Sequence, residues 1–438
     1  MHVTKAVVVG LSMMAATSSV GQPPKAAGDA VETRFDPAEV VTEVRRIVSE
    51  RYVLLERRPA LDAVLAEGLR SKRYLVTEPA LLAERVNADL ARVGRDHHLN
   101  FKYDPARVAM MMARTAGGEP DSAAFQAEVR RNNHGVRQLK VLPGNARYLE
   151  LVDFDWLGDE TAEVHKWAMA FLKGGDAVII DLRRNGGGAG PAVHQIISHF
   201  VKAGTPLLRF HKGSEVSPTM ASLSGLSDMV GKPLYVLTSG QTGSAAEEFV
   251  GHVAGYRLGE VVGSTTSGAA FMNGMYAIEG GFELSVSEAR PVLAATGKDW
   301  EGTGIAPTIS APVEEALETA HIHALRKIAS TADATRRAQL EAMAEGLEAF
   351  RRPATPTAPL AAYAGSYGER ELVLSDGKLW LVQGRRPPRL MVPLGDHRFT
   401  LADDPLVRVT FHLEGTRITA LDYSAAGGPV LGRFERSQ

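Results

Sequence analysis

The chain has no cysteine among its 438 residues. That excludes disulfides, a thiol nucleophile, cysteine-ligated zinc and a cysteine-linked lipid anchor. Aromatic residues make up only 6%, without basic–aromatic interleaving, and the net charge is −2. Neither the stacking surface nor the positive field that a nucleic acid needs is therefore present. The one marked apolar run near the start, Ala6 to Ala16, is too short to span a bilayer. No His-Glu-x-x-His occurs, and His194 and His199 stand five apart, so a catalytic zinc finds no support in the spacing. What remains, 45% hydrophobic and 23% charged residues, is the composition of an ordinary globular protein long enough for two or three domains.

His2 and Lys5, the apolar run and the small residues ending Ser19-Val20-Gly21 read as a secretory signal over 1–21, cleaved after Gly21. A buried N-terminal helix is the competing reading. Export predicts a periplasmic or secreted protein with no transmembrane segment after signal removal. Residues 22–34 read as a flexible leader. From 35 to 125 apolar residues recur at helical spacing, opened by Asp36-Pro37 as N-cap and first helical residue, and predict an N-terminal helical domain. Between 140 and 325 strands such as Ala177 to Leu182 alternate with amphipathic helices. That pattern predicts an α/β core with a largely parallel sheet. Residues 326–359 read as a helical and Pro-rich linker. Residues 360–438 carry short strands with turn signals, the pattern of a small antiparallel β-domain. Ser375-Asp376-Gly377-Lys378 matches a serine–lysine signature, yet Asp-Gly marks it as a hairpin turn.

The richest stretch is Thr238-Ser239-Gly240-Gln241-Thr242-Gly243-Ser244-Ala245-Ala246-Glu247-Glu248, directly after the apolar run Pro233 to Leu237. It places Ser244 at a strand-to-helix junction, where a nucleophile is exposed and the free N–H groups of the first helical turn can face an oxyanion. The competing reading is an ordinary helix N-cap. Of Glu247 and Glu248, adjacent on the helix, one is expected to buttress the site and the other to be solvated. Asp181-Leu182-Arg183-Arg184-Asn185-Gly186-Gly187-Gly188 ends the clearest core strand. Its glycines leave backbone N–H groups sterically open for an anion or an oxyanion.

These two motifs, with Gly263-Ser264-Thr265-Thr266-Ser267-Gly268-Ala269-Ala270 and Trp300-Glu301-Gly302-Thr303-Gly304-Ile305-Ala306-Pro307, resemble peptidase family S41. That family holds the tail-specific proteases, the tricorn core protease and the interphotoreceptor retinoid-binding protein, and the resemblance covers residues 36–310. It implies a crotonase/ClpP-like ββα core, peptide or protein substrates, and neither metal nor organic cofactor. Tail-specific members carry a lysine base where this chain has Ala269, and no lysine lies between Lys232 and Lys298. The retinoid-binding-like branch is similar in having Asp-x-His before the core, here Asp96-His97-His98. The resemblance thus implies Ser244 as nucleophile, His98 as base with His97 as competitor, and Glu301 as the acid that orients it. It also implies an oxyanion hole from Ala245 with Gly187 or Gly188, and a hydrolytic route through an acyl-enzyme. A non-catalytic binding protein for a hydrophobic ligand or peptide, or an esterase, are the alternatives. The last 79 or so residues are similar to the small β-domain behind some bacterial serine hydrolases.

Overall fold

The computed structural model describes residues 35–94, 96, 98–115 and 123–437. The signal and leader read from 1–34, and His97, lie outside the described residues. Among the described residues no helix is long and apolar enough to cross a membrane.

The first helix runs Pro37–Arg51, with Asp36 Oδ1 accepting the Ala38 N–H at 2.8 Å, as its N-cap sequence predicts. Helices Arg58–Arg70 and Pro79–Gly94 follow. Their apolar stripes, including Val44, Leu65 and Val86, do not close on each other alone. They share one buried cluster with Phe101, Phe282, Leu284 and Val286. Phe101 lies in the strand Asn100–Tyr103, which pairs antiparallel with Phe282–Leu293. The Phe101 and Phe282 rings stack at 5.1 Å. The helical segment is thereby fastened to a six-stranded antiparallel sheet that also takes in Met272–Ile278 and Pro206–Lys212. Nothing in the local periodicity announced that partnership.

The central sheet has six strands. In spatial order they are Ile309–Ser310, Glu260–Gly263, Leu234–Thr238, Ala177–Asp181, Ala146–Leu151 and Val136–Leu142. Only the last pairing is antiparallel. Both faces are covered, which explains the unbroken apolar runs. Val178, Ile180 and Val236 point into one core with Phe249, Val253 and Ile196. Ile179, Tyr235 and Leu237, one residue out of phase, point into the other with Ala320, Leu325 and Leu340. The second layer comes from helices Ala316–Ala329 and Ala334–Arg351.

The C-terminal part is an eight-stranded antiparallel sheet in sequence order from Gly365–Tyr367 to Val430–Glu435. A bridge from Tyr367 to Arg436 brings its ends together into a near-barrel around Tyr363, Leu381, Phe399 and Phe411. Asp376 and Gly377 both take positive φ in a tight hairpin with Ser375 opposite Lys378. The serine–lysine match there is a turn.

Candidate active site

Two neighbouring parallel strands, Ala177–Asp181 and Leu234–Thr238, end side by side, and their C-terminal loops are stitched together. Ser239 Oγ donates to the Arg183 carbonyl at 2.6 Å and Thr242 Oγ1 to the Leu182 carbonyl at 2.8 Å. Gly243 N–H donates to the Asn185 carbonyl at 3.1 Å. Asn185 is fully buried; its Nδ2 donates to the Leu151 carbonyl and its Oδ1 accepts from the Gly187 N–H at 2.9 Å. Arg183 is tied to Asp181 at 2.6 Å. Both residues fix the loop.

Ser244 leads into the helix Ala245–Gly255 with φ 52° and ψ −122°. The chain's ordinary N-caps, Asp36 and Asp333, have φ −97° and −61° with extended ψ. A non-glycine residue in Ser244's region is strained by roughly 1–3 kcal/mol, so the helix start alone does not account for its backbone. The turn thrusts the serine toward the glycine loop. A Cβ built on Gly187, at φ +124°, would stand 2.6 Å from Ser244 Cβ and 3.1 Å from its Oγ. Gly187→Ala is therefore expected to lose about 10²-fold or more in fluorophosphonate reactivity through displacement of Oγ. It should also lower stability by about 1–3 kcal/mol. Wild-type reactivity in that variant, read by labelling rate, would contradict this packing.

The Gly187 N–H is committed to Asn185. Among the described residues no hydrogen bond uses the N–H of Gly188 or of Ala245. Of the two glycines named from the sequence, Gly188 thus keeps a donor available beside Ala245.

Glu247 sits at the third helical position after Ser244, so that Ser-Ala-Ala-Glu has the spacing of a capping box. Its Oε2 accepts from Ser244 N–H (3.0 Å), Ala269 N–H (2.8 Å) and Ser267 Oγ (3.2 Å). Its Oε1 accepts from Gly268 N–H (2.7 Å) and Thr266 Oγ1 (2.6 Å). It is completely buried. Glu248 is buried as well, with Oε1 3.5 Å from His252 Nε2, against the expectation of one solvated partner. The reason is that Ala245 through Val253 are all buried, so this helix presents no solvent face there.

The next peptide N–H groups along the same loop, Ala270 and Phe271, donate to Glu301 Oε2 at 2.7 and 3.0 Å. Burial raises the Glu301 carboxyl above its ordinary range, opposed by those two amides, reinforced by Asp96 and opposed by His98. His98 Nδ1 stands 3.9 Å from Glu301 Oε2. Asp96, missed as a separate site residue, is buried and holds the His98 N–H through Oδ1 at 2.8 Å. The structure therefore brings His98 to Glu301, and Ser244 to the loop that Glu301 binds; no hydrogen bond joins Ser244 to His98. Of the flanking lysines, Lys298 is exposed and Lys232 Nζ bonds the Gly175 carbonyl, before the start of a central strand.

Family comparison matches residues 145–311 to "Peptidase family S41" and residues 25–132 to the "N-terminal domain of Peptidase_S41 in eukaryotic IRBP". A protein of Staphylococcus aureus (strain bovine RF122 / ET3-1) named "Probable CtpA-like serine protease" is 26% identical over 142 residues, 32% of this chain and 28% of that protein. A namesake in Staphylococcus epidermidis is 26% identical over 133 residues, 30% of this chain and 27% of the relative. The chain thus matches little more than a quarter of the length of these curated relatives. Among solved structures, the photosystem II D1 C-terminal processing protease aligns at a TM-score of 0.44 with 18% identity, covering 64% of this chain and 94% of that one.

Proposed function

The chain belongs to peptidase family S41, and from that premise we propose that it is a serine peptidase working through Ser244, His98 and Glu301. The observation that carries the reading is the Ser244 backbone at φ 52°, ψ −122°, a strained turn that presents a side chain at the mouth of two strand ends. In this mechanism Ser244 Oγ attacks the scissile carbonyl while His98 Nε2, on the far side of the ring from Glu301, takes its proton. The N–H groups of Ala245 and Gly188 receive the oxyanion. His98 then protonates the leaving amine, and water hydrolyses the acyl-enzyme by the same proton path. Glu301, already anchored by two amides, needs about 1 Å of approach to hydrogen-bond His98 Nδ1. Catalytic bonds are often this loose before substrate binds.

The βαβ succession around the central sheet supports a ββα core of the crotonase type. Domain roles follow the same proposal: residues 35–125 present the base, 140–325 the nucleophile and acid, 326–359 link, and 360–438 form an appended β-domain. The signal-like residues 1–21 and the lack of cysteine support a periplasmic or secreted setting.

The test is to label the mature protein with a fluorophosphonate, map the adduct, and measure peptide hydrolysis beside His98→Ala and Glu301→Gln. The adduct is expected on Ser244, with kcat/KM reduced about 10²–10⁴-fold in each variant. Full activity in His98→Ala would refute the base assignment. An unlabelled wild type that takes up an apolar fluorophore tightly would favour a binding protein.

A further inference from the structure

Behind the proposed base, three buried polar atoms make no hydrogen bond of ordinary geometry among the described residues: Asp96 Oδ2, His98 Nδ1 and Glu301 Oε1, although the buried Tyr52 hydroxyl interacts with the Asp96 carboxylate. Asp96 is 8% exposed and the Glu301 side chain 7%. One ligating atom from each of the three residues lies within 4.8 Å of those of the other two. Each carboxylate commits one oxygen to backbone: Asp96 Oδ1 to the His98 N–H, Glu301 Oε2 to those of Ala270 and Phe271. One oxygen of each carboxylate is held, Glu301 Oε2 being also the one 3.9 Å from His98 Nδ1, and the other is left over.

Unpaired buried polar atoms are costly, and two carboxylates so close in a buried pocket repel each other. A divalent cation relieves both effects. Imidazole with two carboxylates is a zinc-type donor set, three protein ligands with a fourth position open. The nitrogen donor disfavours magnesium and calcium, which prefer oxygen alone. The backbone hydrogen bonds to Asp96 Oδ1 and Glu301 Oε2 orient both carboxylates, as the groups behind established metal ligands do.

We propose that Asp96, His98 and Glu301 form a regulatory site for a zinc-class divalent cation whose binding arrests the enzyme. A neutral imidazole ligated through Nδ1 carries its proton on Nε2, and so cannot accept one from Ser244. Arrest rests on the reading of His98 as base; binding does not.

The full chain, freed of metal, would be titrated with Zn²⁺ by calorimetry and with Co²⁺ by visible absorption, beside Asp96→Asn and Glu301→Gln checked for fold by circular dichroism. One saturable equivalent is expected, weakened about tenfold or more in either variant. Zn²⁺ should slow fluorophosphonate labelling of Ser244, and chelator should restore it. Absence of saturable binding below about 1 mM, or binding unchanged in both variants, would overturn the site. Binding without slowed labelling would overturn the arrest. If the metal-free chain takes no label at all, the serine-hydrolase reading fails instead, and the calorimetry still decides the metal site.

Discussion

Ser244→Ala is expected to remove fluorophosphonate labelling and to lower peptide hydrolysis by about 10⁴-fold or more. Serine nucleophiles that act as a unit with their base lose nearly all of the unit's effect when removed alone, leaving only binding and the oxyanion donors. The fold should hardly notice. The side chain is partly exposed at the end of a helix, alanine shares serine's backbone preferences at the strained turn, and loss of an N-cap hydroxyl costs about 1 kcal/mol. Calorimetric melting beside kcat/KM separates the two effects. A Ser244→Ala preparation that still hydrolyses peptide, with a melting temperature like the parent's, would place the nucleophile elsewhere.

Glu247→Gln should act in the opposite sense, with the largest stability effect at the site and an activity loss that follows from it. Both carboxylate oxygens accept from backbone N–H groups, Oε1 from Gly268 and Oε2 from Ser244 and Ala269. Whichever way a glutamine amide is flipped, its NH₂ faces an N–H donor. A buried donor pair of that kind costs at least about 1–3 kcal/mol, more because a charged acceptor is replaced. The melting transition should fall by several degrees and labelling of Ser244 should slow, because the loop over residues 266–269 loses its anchor. A variant melting within about a degree of the parent would show that the carboxylate does not hold the loop as described.

Much of this was legible along the chain because it is local. The runs at 177–180 and 233–237 are apolar at every position since both faces of their sheet are covered, and the small residues around 243–246 announced the junction. The Asp376-Gly377 hairpin and the Asp36 cap were legible for the same reason. Glu247 was half legible, through its Ser-x-x-Glu spacing from Ser244, but its hold on residues 266–269 depends on a separate strand loop that no window contains. Asp96 could be seen only as part of a motif; its nearness to Glu301 depends on a closing loop some two hundred residues further along the chain. The positive φ of Ser244 has no signature in residue type, since serine does not favour it. Likewise, the helices at 37–94 carry an ordinary amphipathic pattern, which shows that they have a buried face and not that Phe282 and Leu284 fill it.

Two consecutive peptide units tie the site's acids to one another's fate. The N–H of Ala269 points to Glu247 and that of Ala270 to Glu301, so consecutive amides on a single short loop register the nucleophile's helix and the base's acid at once. Among the described residues no hydrogen bond bridges the two acids directly, yet neither can be altered without disturbing the segment the other relies on. Substitutions at 247 and 301 should therefore be epistatic rather than independent. A lineage that let one carboxylate drift would relax the constraint on the other, and the site would decay as a block. Since Ala269 is anchored through its main-chain N–H, its side chain is the part of the loop free to vary.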